Sequence, residues 1–333
     1  MDLEQGAYDV LVADIATILS EGRKKVAVAI NNVLVETYWN IGRVIVEYEQ
    51  GGNIKAEYGS QLLEHLSRDL SKQFGKGFNR SNIFTMRKLY VSFPKIQTVS
   101  GFLSWSHYIE ILKADNELER NFYIKECEKS KWSVRELQRQ MKSMLFYRIA
   151  ASKDKETVMA LAMDGQQIMH PEDIIRDPYV LEFAGLPELS VYKEGDLQLK
   201  MQENMKSFLL ELGRGFAFIK EQYRIPISGR NFHVDLVFYN CILKCYVLVD
   251  LKRGMVEHED IGQMNLYLNY FKHEVCSVDD NLPIGIVLGA NKDDLIMEYA
   301  TEGITNQVFV AKYQLYLPRR EEIQARLDKI MGE

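Results

Sequence analysis

FHVDLVFY, residues 232–239, and CYVLVDLK, residues 245–252, decide how the second half of this chain folds. Both runs are short, apolar and rich in Val, Leu, Phe and Tyr, the composition of buried strands. Asn240 to Lys244 between them reads as a tight hairpin connection. Each run nonetheless carries ionisable groups: Asp235 inside the first, Asp250 and Lys252 at the close of the second. Buried charge is costly unless it is paired or holds a ligand, so these three residues need a reason other than packing. Side chains alternate across a strand, which puts Asp250 and Lys252 on one face and Leu251 in the opposite layer. An in-register hairpin then sets Asp235 across the ladder from that pair.

Two carboxylates beside one ammonium suit a hard divalent cation, Mg²⁺ or Mn²⁺. Mg²⁺ takes oxygen ligands at roughly 2.1 Å and keeps several waters, so one or two carboxylates and substrate phosphate oxygens suffice to hold it. Asp235 and Asp250 are the candidate metal ligands. A cation there lowers the pKa of a coordinated water and offsets charge building on a phosphate, while Lys252 orients the nucleophile or faces the phosphorus centre. This is the chemistry of phosphodiester hydrolysis. Short patterns of this kind also recur by chance, and strand-end carboxylates reaching water beside a lysine partner are the plainer reading. The surrounding elements therefore carry the decision.

Residues 196–213 predict an amphipathic helix ended by Gly213, with Leu197, Met201, Met205, Phe208, Leu209 and Leu212 on one stripe. A strand from Gly215 to Ile225 follows, closed by Pro226 and Gly229, and then the two strands of the triad. A helix from Glu259 to about Lys272 precedes the wholly apolar run Pro283–Gly289. The order helix, three strands, helix, strand predicts an α/β domain with a mixed sheet covered by helices on both faces.

That order, with Asp on the second strand and Asp-x-Lys on the third, resembles the PD-(D/E)XK nuclease superfamily and its restriction-endonuclease-like fold. The resemblance implies that Asp235 and Asp250 bind the metal and that Lys252 is the catalytic lysine. Gln263 and Tyr267, in GQMNLYLNY, match the Gln-x-x-x-Tyr element that some branches add to the site. Four residues apart, they share a helix face, where a Gln and a Tyr also serve as ordinary rim and core. More narrowly, the chain resembles the bacterial YhcG family over roughly residues 8–330. The segments that carry this likeness include YWNIGRVIVEYEQ, LSWSHY, KWSVRELQRQM, DPYVLEF, FLLELGRGFAFI and GQMNLYLNY. The family implies an α-helical N-terminal domain before the nuclease domain. The chain departs from it twice: Asp250 stands where the family typically has Glu, and Leu197-Gln198 puts an amide where an acidic residue is expected early in the first helix.

A chain of 333 residues, 47% hydrophobic, has material for two cores. The division expected is a helical domain over 1–150, a connection over 151–178 broken by Gly165, Pro171 and Pro178, and the nuclease domain over 179–333. No apolar run approaches the roughly 20 residues of a membrane span. The acidic start MDLEQGAYDV lacks a signal-peptide pattern, and four scattered cysteines make no disulfide framework, so a cytoplasmic protein is expected. With a formal net charge of −6, nucleic-acid contact has to come from a local patch. Between Ser60 and Lys95, seven basic residues, among them Arg68, Lys72, Lys76, Arg80, Arg87 and Lys88, face two acidic ones. Residues 60–92 also have the pattern of a helix-turn-helix, in which Asn82, Thr85 and Arg87 face DNA; a solvated helical hairpin fits equally well. Residues 8–50 read as one long amphipathic helix or two, a surface for a homodimer. Two functions remain open. One is a metal-dependent endonuclease on duplex or branched DNA, in repair or recombination, and the other is a non-cleaving DNA-binding or assembly module that keeps the fold.

Overall fold

In the computed structural model the described residues are 2–50, 56–95, 102–114, 116–150, 155–176, 178–186, 193–302, 304 and 306–317. The chain divides into two compact units, Met1–Gln138 and Arg139–Glu333. The first unit is helical. Helix α1 (Asp2–Tyr48) runs unbroken for 47 residues, followed by α2 (Ala56–Phe74) and α3 (Arg80–Ser92). Asn79 caps α3 by accepting the Asn82 N–H at 2.9 Å, and Gly75, at φ 92°, supplies the turn that α2 could not continue through. The C-terminal part of α1 packs on α3: a Cβ at Gly42 would overlap the Met86 carbonyl, so only glycine lets these two backbones approach. Trp39 anchors the same contact, donating its indole N–H to the Phe93 carbonyl at 2.7 Å and meeting Tyr90 edge-on. Helices α4 (Trp105–Ile111) and α5 (Glu117–Ser130) follow. His107 on α4 bonds Ser104 and the Trp132 carbonyl, a structural use of its ring.

Helix α6 (Val134–Lys142) opens on the Ser133–Glu136 capping box and leads to α7 (Leu145–Ala150) and α8 (Lys155–Asp164). The units divide earlier than residue 150, because Arg139, Gln140 and Arg148 all bond to residues 210 and 211 of the second unit. The span expected as a connection carries α8 and a 3₁₀ turn, Pro171–Ile174. Strand β1 (Tyr179–Val180) comes next. The helix expected over 196–213 is two, α9 (Glu194–Glu203) and α10 (Met205–Leu212). They separate at Asn204, which leaves helical geometry and turns its amide onto the Lys200 carbonyl.

Strands β2 (Phe216–Ile227), β3 (Arg230–Asn240) and β4 (Cys245–Leu251) form an antiparallel meander. Pro226 lies inside β2 rather than ending it. The strand is at the sheet edge, where a missing N–H costs no ladder bond. Asn240 holds the β3–β4 connection by accepting the N–H groups of Ile242 and Leu243. Helix α11 (His258–Tyr270), with a π-helical turn to Val275, crosses to β5 (Ile284–Gly289), parallel to β4. Helix α12 (Asp294–Thr301) and β6 (Gln307–Gln314) complete a six-stranded mixed sheet of order β1-β6-β5-β4-β3-β2. One face packs Leu236, Phe238, Val247 and Val249 against α9 and α10, and the other packs Val237, Leu248 and Val287 against α11. This is the mixed sheet flanked by helices that the element order predicts, of the PD-(D/E)XK type.

An ion cluster with no sequence signature lies in the second unit. Glu211 on α10 is fully buried and holds Arg148 at 2.6 Å, Arg139 at 3.4 Å, Arg176 at 3.6 Å and the Val180 N–H at 2.9 Å. It thereby ties α6, α7, α10 and β1 together. Burial pushes the Glu211 carboxyl up, but the three guanidinium groups outweigh it and hold its pKa below the ordinary value. A depressed folded pKa means that the stabilisation is complete above the usual carboxylate range and is lost as pH falls through the folded value. Glu211→Gln, which leaves three buried guanidinium groups without their counter-charge, is expected to cost about 3–5 kcal/mol. Urea unfolding at pH 7 and at progressively lower pH checks both statements: the difference between parent and variant must shrink as the pH falls.

Candidate active site

Asp235 and Asp250 stand level on neighbouring strands. The ladder pairs Leu236 with Val249, and the next pair in that register is these two carboxylates. Both are nearly buried, at 8% and 4% exposure. Each oxygen of Asp235 is engaged: Oδ2 accepts the Leu251 N–H at 2.8 Å, and Oδ1 accepts the side-chain amides of Gln198 at 2.8 Å and Gln222 at 2.9 Å. Lys252 follows the last residue of β4, and its N–H continues the ladder to the Leu288 carbonyl. Its Nζ lies 3.0 Å from Asp250 and 3.2 Å from Asp260 on the first turn of α11.

Charge crowding shapes the titration of the group. Burial, and then the neighbouring Asp235, push the Asp250 carboxyl up to about 7, with Lys252 offsetting only part of the rise. Burial pulls the Lys252 ammonium down, but Asp250 and Asp260 outweigh it and hold its pKa above the ordinary value. Gln263 and Tyr267 meet on α11, the amide donating to the phenol oxygen. Tyr267 is fully buried, and burial, with smaller contributions from Asp250 and Asp235, raises its pKa, so the phenol stays neutral. The structure thus brings Asp235, Asp250 and Lys252 together and sets the Gln263–Tyr267 pair on the helix that also supplies Asp260.

Two participants escape a sequence reading. Gln222 sits in β2 with φ 44°, left-handed backbone that a non-glycine residue adopts only under constraint, and its amide reaches Asp235. Nothing in FIKEQYRI announces this. Asp260 had a signal: Glu257 and Asp260 form the capping box of α11, which marks Asp260 as a first-turn residue, but its reach to Lys252 is a tertiary fact. Gln198, read as a neutral departure at an acidic position, does sit at the site and contributes a donor.

The residues proposed to touch nucleic acid lie in the first unit. Lys72 and Lys76 are exposed on α2 and the following turn. Arg68 pairs with Asp69 and Arg80 with Glu64, both in exposed positions. Arg87 is half-buried and bonded by its Nε to both oxygens of Glu49, and Lys88 is half-buried beside it. Asn82 spends its amide on the Gly77 carbonyl and Thr85 its hydroxyl on Ser81. The polar groups of Asn82, Thr85 and Arg87 are therefore used inside the unit, the first two on carbonyls of their own or the preceding turn and Arg87 on a carboxylate just past the end of α1.

The donor set fits a hard divalent cation. Its protein atoms are carboxylate oxygens, and both the burial and the neighbouring Asp235 charge that raise Asp250 are offset by a cation. Among the described residues no cluster of three His, Cys, Asp or Glu surrounds one centre, and the two carboxylates level at the site are Asp235 and Asp250.

Fold and site together define a nuclease domain of the PDDEXK type. Residues 172–328 match the family described as YhcG PDDEXK nuclease domain, and residues 14–148 match the DUF1016 N-terminal domain. The chain is 35% identical over 352 residues to the protein named "Putative nuclease YhcG" of Escherichia coli (strain K12), across 96% of this chain and 93% of that one. It belongs to the YhcG family. Among solved structures, a repair endonuclease from Pyrococcus abyssi is similar at 20% identity and a TM-score of 0.27, over 38% of this chain and 48% of that one. EndoMS in its apo form is similar at 16% identity and a TM-score of 0.26, over 39% and 48%. Likeness at that level adds nothing to the family match.

Asp250 is thermodynamically expensive in the metal-free protein. A carboxyl whose folded pKa is raised binds its proton more tightly when folded, so stability falls as pH rises from the usual carboxylate range towards 7 and levels off above it. Asp250→Asn is expected to be more stable than the parent at pH 8, by on the order of 1 kcal/mol, with the gain vanishing near pH 4. Chemical denaturation in EDTA measures this, and a variant less stable than the parent at pH 8 contradicts it.

Proposed function

We propose that this protein is a divalent-metal-dependent DNA endonuclease that hydrolyses phosphodiester bonds in duplex or branched DNA. The observation that carries the reading is the level placement of Asp235 and Asp250 on adjoining strands with Lys252 3.0 Å from Asp250. Asp235 and Asp250 hold Mg²⁺ or Mn²⁺. When bound, the ion supplies a coordinated water of lowered pKa and charge to offset that developing on the phosphate. Asp235 is oriented for this by three donors, and Leu251 ties it to the strand that carries its partner carboxylate.

Lys252 acts as an ammonium rather than as a base, since Asp250 and Asp260 keep it protonated, and it stabilises the phosphorane-like transition state electrostatically. Asp260 aims it. Gln263 and Tyr267 close the α11 side with neutral polar groups. The exposed Lys72 and Lys76, with Arg68 and Arg80, contribute phosphate contacts from the helical unit, and paired copies provide two sites for cutting two strands. Such an enzyme acts in the cytoplasm, on DNA undergoing repair or recombination.

One observation favours a second reading, a non-cleaving DNA-binding or assembly module: Gln198 presents an N–H to Asp235 where an acidic side chain would present oxygen. Incubating purified protein with linear, supercoiled and branched DNA plus Mg²⁺ or Mn²⁺ separates the two. Cleavage that falls at least ~100-fold in Asp235→Ala and in Lys252→Ala is expected of the endonuclease. Tight binding without cleavage by parent and variants alike establishes the module, and cleavage that survives both substitutions removes the assigned site.

A further inference from the structure

The stretch of α1 from Tyr8 to Val33 is apolar, yet its large apolar side chains are exposed among the described residues. Between Tyr8 and Val33, eleven large apolar side chains are exposed, including Leu11 at 54%, Ile18 at 68%, Val26 at 59% and Val33 at 64%. Summed over all sides of the helix they present on the order of 1,000 Å² per chain, against the few hundred Å² of a typical monomer's largest patch. Only from Val35 onward do residues of the helix enter the core of their own unit.

Within this segment Leu11, Ile15, Ile18, Gly22, Val26, Ala29 and Val33 recur at spacings of four, three, four, four, three and four, an eleven-residue repeat. At 3.67 residues per turn, such a repeat keeps one stripe along a nearly straight helix. The stripe is symmetric about Gly22. Ile18 and Val26 lie four positions either side of it, Ile15 and Ala29 seven, Leu11 and Val33 eleven.

No described residue comes near enough to Gly22 to require a glycine there. Glycine inside a helix is destabilising, and a Cβ at Gly22 would meet nothing within 4 Å. The same helix shows what its glycines do elsewhere, since Gly42 is the point where α3 comes close. Beside the stripe, Glu21 and Lys25 share one edge of the helix, both exposed, and neither forms an ion pair with a described residue. In an antiparallel pair of identical helices the same edges meet, so the two Glu21 carboxylates come together near the axis with Lys25 of the opposite copy beside each of them. A parallel pair sets opposite edges together, so that Glu21 and Lys25 have no contact with each other across it.

We propose that α1 pairs antiparallel with α1 of a second copy of this chain, over residues 11–33, with the two-fold axis at Gly22. The stripe then closes on itself: Leu11 packs with Val33, Ile15 with Ala29 and Ile18 with Val26 of the other copy, while the two glycines allow the backbones to approach at the axis. The contact spans about 34 Å of helix. This deepens the homodimer reading and rests on that pairing alone, so hydrolysis of DNA plays no part in its test.

Sedimentation equilibrium on the full chain is the experiment, with far-UV circular dichroism as the control for folding. The parent is expected to be a dimer at tens of micromolar. Gly22→Leu raises helix propensity yet blocks the close approach, so dimerisation is expected to weaken more than ~10-fold with helicity unchanged or higher. Glu21→Lys is expected to weaken it about as much by opposing four ammonium groups near the axis, and Glu21→Lys with Lys25→Glu is expected to restore it. A monomeric parent, a trimer or larger assembly, a Gly22→Leu variant as tightly paired as the parent, or a charge swap no tighter than the single substitution each overturns the proposal.

Discussion

Asp235 accepting the Leu251 N–H is the contact on which the site depends. A carboxylate this deeply placed survives only with donors, and here the nearest donor belongs to the backbone that follows Asp250. One hydrogen bond therefore does two things at once. It satisfies a buried charge and sets the register that places the second carboxylate opposite the first. The amides of Gln198 and Gln222 complete the shell from α9 and β2, so three elements converge on a single oxygen pair.

The arrangement is costly by design of its position. Two acids level across a ladder repel, and burial at the sheet raises the proton affinity of Asp250. Lys252 offsets this only in part, since it divides its charge between Asp250 and Asp260. This crowding is the electrostatic ground on which the proposed cation and phosphate site rests. The unit that carries it is stiffened elsewhere. Glu211 gathers three arginines from separate elements, and the two apolar layers close both faces of the sheet.

The helical unit uses the same vocabulary differently. Its basic residues are partly consumed at home, Arg87 by Glu49 and Arg80 by Glu64, so the segment's positive balance in sequence overstates the charge it offers to a partner. Its apolar residues show the reverse: those of α1 before Val35 are more exposed than their composition suggests. Side chains that a helical wheel would bury are left in the open, and among the described residues the core of the unit takes up α1 from Val35 onward.

Much of this was legible in the sequence for local reasons. Strand periodicity and the spacing Asp-x-Lys put Asp250 and Lys252 on one face, and a short connection put Asp235 opposite, since neighbouring strands joined by a tight turn have little choice of register. The Gln263–Tyr267 pair followed from helical geometry in the same way. What tertiary structure alone decided were the contacts between distant segments. Gln222 reaches Asp235 through a left-handed backbone angle, Asp260 reaches Lys252 from the start of a later helix, and Glu211 collects arginines up to seventy-two positions away. Periodicity fixes which way a side chain points from its own element. Which other element it meets depends on how helices and sheet stack, and no local pattern encodes that.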